Sequence, residues 1–101
     1  MATITGFEKE LSEKVRKYRL LTGAALKKIS IRADKGTREF EIAEDFLEMA
    51  NNYFNDARHF EKEGKLLVAL AAFSYAHAWL DAGVRSKILD GKNDSALFTL
   101  P

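Results

Sequence analysis

Apolar residues recur every three or four positions through most of this chain, which is the spacing of amphipathic helices. The pattern predicts three helices, over residues about 6–29, 38–63 and 65–89, followed by a tail over residues 90–101. The connections between them are short, so neighbouring helices should run antiparallel. We therefore predict an all-α protein, a three-helix antiparallel up-and-down bundle with a short extended C-terminal tail, as a single domain over residues 1–101.

Capping signals place the ends of these helices. Thr5 and Glu8 have the spacing of a capping box, and Thr37 is the expected N-cap of the second helix. Gly64 fits the left-handed residue that follows the end of a helix. The third helix is expected to stop near Asp90-Gly91.

The third helix is apolar around most of its circumference when its residues are placed at 100° each. Its first apolar face consists of Ala69, Ala72, Phe73, Ala76, Trp79, Leu80 and Gly83. Its second apolar face consists of Ala71, Tyr75, Ala78 and Ala82. What remains, here named the polar stripe, consists of Ser74, His77, Asp81 and Arg85.

A helix at a protein surface needs only one apolar stripe, a little over 100° wide. The third helix exceeds this arc about twofold, so we expect it to be central and to pack against two helices, or against a helix and a partner chain. The tail, with Leu97, Phe98 and Leu100, is an alternative cover for the second apolar face.

The polar stripe is the candidate functional site. A histidine oriented by a carboxylate, as His77 and Asp81 are at i and i+4, is a common general-base arrangement, and Ser74 is a potential nucleophile. However, all of these residues, Arg85 included, lie on one straight helix that encloses no pocket. A charge-paired, solvated stripe explains the same spacing, so no catalytic residue is assigned.

Metal and cofactor binding are not expected. Helical i,i+4 spacing suits His77 and Asp81 as two ligands, with His59 and Asp56 as further candidates. The chain has only two histidines, and the Glu-x-x-His repeats of di-iron bundles are missing. Cysteine is absent, which excludes disulfides and thiolate sites.

Charge is unevenly distributed along the chain. Residues 1–38 carry ten Lys and Arg against four Asp and Glu, a net of +6, whereas residues 39–63 carry two against eight, a net of −6. The basic first helix suggests nucleic acid as a partner. We favour the view that the basic first helix and the acidic second helix complement each other. The basic residues in question are Lys9, Lys14, Arg16, Lys17, Arg19, Lys27 and Lys28.

The remaining composition indicates a soluble protein. Hydrophobic residues make up 47% of the 101 residues, which is enough for a modest core. No apolar run approaches transmembrane length and no signal-peptide pattern appears at the N-terminus. A cytoplasmic protein without a membrane partner is therefore expected. Few thermolabile side chains among 31% charged residues suit a thermophile.

Part of the chain resembles a known family. The run from Ala50 to Phe60, the segment SYAHAWLDAG over residues 74–83 and the late Leu97-Phe98-Thr99 are similar to the archaeal family called domain of unknown function 357, over roughly residues 40–100. The resemblance implies a small three-helix bundle in an archaeal cytoplasm. It implies no activity, because that family is itself uncharacterised.

Three functional hypotheses follow. The leading one is a non-enzymatic interaction module that self-associates or binds an unknown protein through the second apolar face. The alternative is a nucleic-acid-associated protein that uses the basic face of the first helix. The third hypothesis, a small hydrolase that uses His77 and Asp81, is less favoured.

Overall fold

The computed structural model describes residues 5–101 and places three helices and one small strand pair within them. The helices are α1 over Gly6–Lys28, α2 over Arg38–Lys62 and α3 over Leu66–Arg85. Strands β1, Ser30–Ile31, and β2, Leu89–Asp90, pair antiparallel. The all-α bundle is thus confirmed. The single domain over residues 1–101 stays a prediction, since residues 1–4 lie outside the described part.

Two threonines begin α1 and α2 as their positions predict. The backbone N–H of Glu8 donates to Thr5 Oγ1 over 3.0 Å, and that of Phe40 donates to Thr37 Oγ1 over 3.2 Å. Each bond satisfies a donor that has no partner within its own helix. Both predicted N-caps are confirmed.

The α2–α3 connection is tight because Gly64 adopts the left-handed conformation, with φ of +77°. Its N–H donates to Glu61 O, and the N–H of Lys65 donates to Phe60 O. These two bonds close the helix in the Schellman arrangement. The chain can therefore reverse within a few residues, and α2 and α3 form the antiparallel hairpin that the sequence predicts.

The predicted end of α3 is wrong by four residues. The helix ends at Arg85, and Lys87 takes the left-handed conformation with φ of +65°. The N–H of Lys87 donates to Val84 O and that of Ile88 donates to Gly83 O, which is the same closure seen after α2. Because a lysine occupies this position where glycine is usual, no sequence signal marked the end.

The helix α3 lies at the centre, because α1 and α2 each contact it more than they contact each other. The helices α1 and α2 also meet directly, where Arg19 pairs with Glu61 over 3.0 Å. The bundle is 58 Å long and 23 × 16 Å across. Small residues seven positions apart form much of the α2–α3 contact. On α2 these are the fully buried Ala43, Ala50 and Ala57, and on α3 they are Ala69 and Ala76. Gly83 continues the row on α3, and the side chain of Leu89 lies against it.

Larger side chains fill the two ends of the bundle. Val15 and Phe73 pack near the α2–α3 turn, whereas Leu80, Leu89 and Phe98 pack at the end that carries the strand pair. The tail was predicted to be extended, and this prediction is wrong for part of it. It passes through turns at residues 92–93 and 95–97 before the side chain of Phe98 enters the core, only 3% exposed.

Replacing Lys87 by glycine should stabilise the fold. A left-handed non-glycine residue costs about 1–2 kcal/mol, and glycine removes that cost while adding some freedom to the unfolded chain. We expect Lys87→Gly to raise the free energy of unfolding by about 0.5–1 kcal/mol in urea titrations. Lys17→Gly, in the exposed middle of α1, is the control and should lower it by about 1 kcal/mol. A loss of stability in Lys87→Gly would contradict the assigned closure of α3.

Candidate functional site

His77 joins three parts of the molecule. Its ring Nδ1 lies 3.0 Å from the hydroxyl oxygen of Thr22, a fully buried residue of α1, and its Nε2 lies 2.7 Å from the carbonyl oxygen of Leu97 in the tail. A carbonyl only accepts, so Nε2 carries the proton and donates. Nδ1 of the neutral ring then accepts from the Thr22 hydroxyl. Both ring nitrogens are therefore occupied.

Asp81 and Arg85 bind the tail one and two helical turns further along. The carboxylate of Asp81 accepts from the backbone N–H of Thr99 over 2.9 Å and from its hydroxyl over 3.3 Å. The guanidinium of Arg85 donates to Leu100 O over 2.7 Å. The polar stripe thus forms the docking site of the C-terminal tail. The fourth member of the stripe, Ser74, is exposed. Among the described residues, the hydrogen-bond partners of His77 are Thr22 and Leu97 and do not include Ser74.

A second anchor holds the tail to α1. Lys28 Nζ lies 2.8 Å from Asp94 Oδ2, and Asp94 Oδ1 accepts from the backbone N–H groups of Ala96 and Leu97. The hydrogen bond from Lys28, followed by these backbone donors, holds the pKa of Asp94 below its ordinary value despite partial desolvation. The tail is therefore fixed by charge on α1 as well as by the polar stripe on α3.

The hydrogen bonds of the polar stripe do not suit it for general-base catalysis. A general base needs a nitrogen open to substrate, and both nitrogens of His77 bind the protein itself. Asp81 Oδ1 lies 3.8 Å from His77 Nε2, too far for a hydrogen bond. His59 is on the surface with its ring 3.5 Å from Glu63. No group of three or more His, Asp or Glu side chains that could hold a metal occurs in the described chain.

The second apolar face is open to solvent. Tyr75 is 49% exposed, and Ala71, Ala78 and Ala82 are all exposed. Because the tail binds the polar stripe, it does not cover this face. Two residues that the sequence analysis did not assign to the face extend it toward the start of α3: Leu67, 62% exposed, and Val68, 49% exposed.

Aromatic rings border the second apolar face on the side of α2. The centroids of Tyr53 and Tyr75 are 4.4 Å apart, those of Tyr75 and Trp79 are 6.2 Å apart, and those of Trp79 and Phe46 are 5.0 Å apart, all edge to face. Edge-to-face pairs add to the energy of burial. The row is held in place by two helices and still offers an exposed edge at Tyr75.

The length and composition of α3 alone would allow it to cross a membrane. An 18-residue stretch within it has a mean hydropathy of 1.3, and 39% of that stretch is buried. This differs from the expectation that no apolar run in the chain approaches transmembrane length. A core helix meets the same criterion, and α3 contacts α1, α2 and the tail. The low buried share reflects its second apolar face.

The tail contacts were the functional feature that sequence reasoning missed. Asp81 and Arg85 were expected to face solvent, yet their partners are backbone groups of Thr99 and Leu100. A backbone partner leaves no signature in side-chain patterns. The apolar residues of the tail were the available signal, and Phe98 does dock.

The fold and its surfaces define a small all-α bundle protein with a docked C-terminal tail and one open apolar helix face. The chain belongs to the family described as protein of unknown function, DUF357, whose model matches residues 17–89. The resemblance stated from the sequence is thereby confirmed. The match includes the second half of α1 and ends at Leu89, before the Leu97-Phe98-Thr99 segment. No curated protein and no solved structure matches the chain.

The lowered pKa of Asp94 makes the tail anchor dependent on pH. A carboxyl whose folded pKa lies below the unfolded value of about 3.9 stabilises the fold above that pH. The contribution is lost as pH falls through the folded pKa. We expect Asp94→Asn to be less stable than the parent chain at pH 7, with the difference shrinking below about pH 4.

Urea unfolding at a series of pH values measures this difference. The amide keeps an acceptor for the backbone donors, so the variant isolates the charge facing Lys28. Asp45→Asn, on the exposed surface of α2, serves as control and should change stability at pH 7 by less than about 0.5 kcal/mol. A difference for Asp94→Asn that stays constant down to pH 2 would rule out the ionic anchor.

Proposed function

We propose that this protein is a non-enzymatic interaction module that binds a protein partner through the second apolar face of α3. The single observation that carries the proposal is the exposure of that face. Leu67, Val68 and Tyr75 are each about half exposed or more, although they lie on the central helix of the bundle. A contiguous apolar surface of this kind is typical of sites of association.

The composition of the surface supports a protein ligand. Tyrosine is enriched among residues that contribute most to binding at protein interfaces, and Tyr75 lies on this face with the half-buried Trp79 of the first apolar face beside it. Their contacts with Tyr53 and Phe46 restrict the rings before any partner arrives. Side chains that are already ordered lose less entropy on binding.

Several polar and charged groups are already bound within the protein, which makes the apolar face the better candidate for binding a partner. His77, Asp81 and Arg85 bind the tail. On α1, Arg19 and Lys28 are paired with Glu61 and Asp94, which reduces the cationic surface available to a polyanion. We further propose a cytoplasmic location, which the absence of cysteine suits.

Charge placed on the second apolar face should abolish partner binding. Ala78→Glu introduces a carboxylate at an exposed position, so the fold tolerates it while an apolar partner does not. We expect a protein captured from source-cell lysate by the tagged parent chain to be lost with Ala78→Glu. Ala24→Glu is the matched control, since it makes the same change at an exposed alanine of α1, and it should retain the partner.

Nuclease treatment and a series of salt concentrations distinguish binding of a protein from binding of nucleic acid. A captured protein that survives nuclease supports the interaction module. Equal capture by Ala78→Glu and the parent chain would contradict it. Capture of nucleic acid alone, weakening as salt rises, would instead assign the function to the basic face of α1.

A further inference from the structure

The second apolar face has the residue spacing of a helix–helix contact. Val68, Ala71, Tyr75, Ala78 and Ala82 are separated by three, four, three and four residues, which is the a/d spacing of a coiled-coil seam. These side chains form one narrow ridge along α3. Three of them are alanines, which allow two helix backbones to approach closely. The face is thus shaped for another helix with the same spacing.

Resting on the function proposed above, we propose that the partner is a second copy of this chain, and that the two α3 helices pack in parallel about a two-fold axis. An isologous contact brings the same patch of both copies together. Between Val68 and Ala82 this patch carries no charged side chain, so its burial leaves no charge unpaired.

The charges that flank the second apolar face differ between its two sides. On one side, near Val68, lies α1, whose Glu8 lines a cavity with Val68 and whose stretch, residues 1–38, has a net charge of +6. On the other side lies α2, whose Asp56 lines a cavity with Val68 and Ala71 and whose stretch, residues 39–63, has a net charge of −6. Around Val68 and Ala71, each copy therefore presents an uncharged ridge between a helix of net positive charge and a helix of net negative charge.

Only one of the two possible dimers matches these flanks. A two-fold axis along α3 keeps the helices parallel and places the basic α1 of one copy over the acidic α2 of the other, on both sides of the seam. An axis across α3 makes the helices antiparallel and places α1 over α1 and α2 over α2. Like charges then face each other. Since charge complementarity across an interface selects partner and register, the parallel dimer is favoured.

Two exposed residues occupy the flanks at the same height. Leu11 and Val68 line one surface cavity, and Asp56 and Ala71 line another. Lys14 follows Leu11 by one helical turn, and Ala71 follows Val68 by one helical turn. Measured along the axis of α3, Lys14 on α1 and Asp56 on α2 therefore lie at about the same height. Neither forms a salt bridge with any other residue between 5 and 101. A parallel dimer places Lys14 of one copy near Asp56 of the other copy.

Sedimentation equilibrium and cysteine cross-linking test the proposal on the full chain. We expect a mass of twice 11.4 kDa that Ala78→Glu reduces to one protomer and Ala24→Glu leaves unchanged. The chain has no cysteine of its own. Ala71→Cys and Ala82→Cys, each prepared alone, should form disulfide-linked dimers on mild oxidation, because parallel helices place each position beside its own copy. Ala24→Cys is the control for random collision.

The outcomes are distinct. Positions 71 and 82 are about 16 Å apart along the helix, beyond the reach of a disulfide. An antiparallel dimer would therefore cross-link in a mixture of the two variants and not in either alone, which would overturn the parallel arrangement. A monomer whose second apolar face captures a different protein would overturn the second copy and keep the proposed function. A monomer with no face-dependent partner would overturn both.

Charge reversal tests the flanks separately from the seam. Asp56→Lys should weaken the dimer about fivefold or more, since it then faces Lys14 of the other copy, and Lys14→Glu should weaken it similarly. The double variant should recover most of the affinity. Equal affinity of all four proteins would remove the electrostatic basis for the parallel arrangement.

Discussion

The close contact between α2 and α3 is the constraint on which the rest of the structure depends. Ala43, Ala50 and Ala57 face α3 at seven-residue intervals and are completely buried, so these two helices meet along small side chains rather than across a thick layer of large ones. With α2 placed in this way, α1 packs on another part of α3 and contacts α2 less than it contacts α3. Two helices and the tail do not surround α3, and one face of it stays open.

The contacts of α1 include a set that involves the tail. Thr22 of α1 binds His77, whose ring also binds Leu97, and Lys28 binds Asp94. The C-terminal residues thereby connect α1 to α3 at the end where the two short strands pair. In most proteins the apolar surface of a helix is covered and the polar surface faces solvent. On α3 the polar stripe is covered by the tail, whereas the second apolar face is open.

Local signals predicted much of this fold, and contacts without local signals account for the errors. Apolar spacing predicted three helices, and Thr5, Thr37 and Gly64 predicted helix ends correctly. The end of α3 was missed because Lys87 takes a left-handed conformation that favours glycine. The polar stripe could be recognised as a group, but its role depends on backbone groups of a distant segment. Exposure of the second apolar face follows from how three helices share α3, which no single helix encodes.

The open face and the charge of its flanks both result from how α1 and α2 pack on α3. An apolar ridge without charge favours association and specifies neither direction nor register by itself, because hydrophobic contact is non-directional. Direction requires a feature that differs between the two sides of the ridge, and here that feature is the basic α1 opposite the acidic α2. Both helices pack against α3 and border its open face on opposite sides near Val68. The packing that exposes the apolar face therefore also places the charges that can orient what binds there.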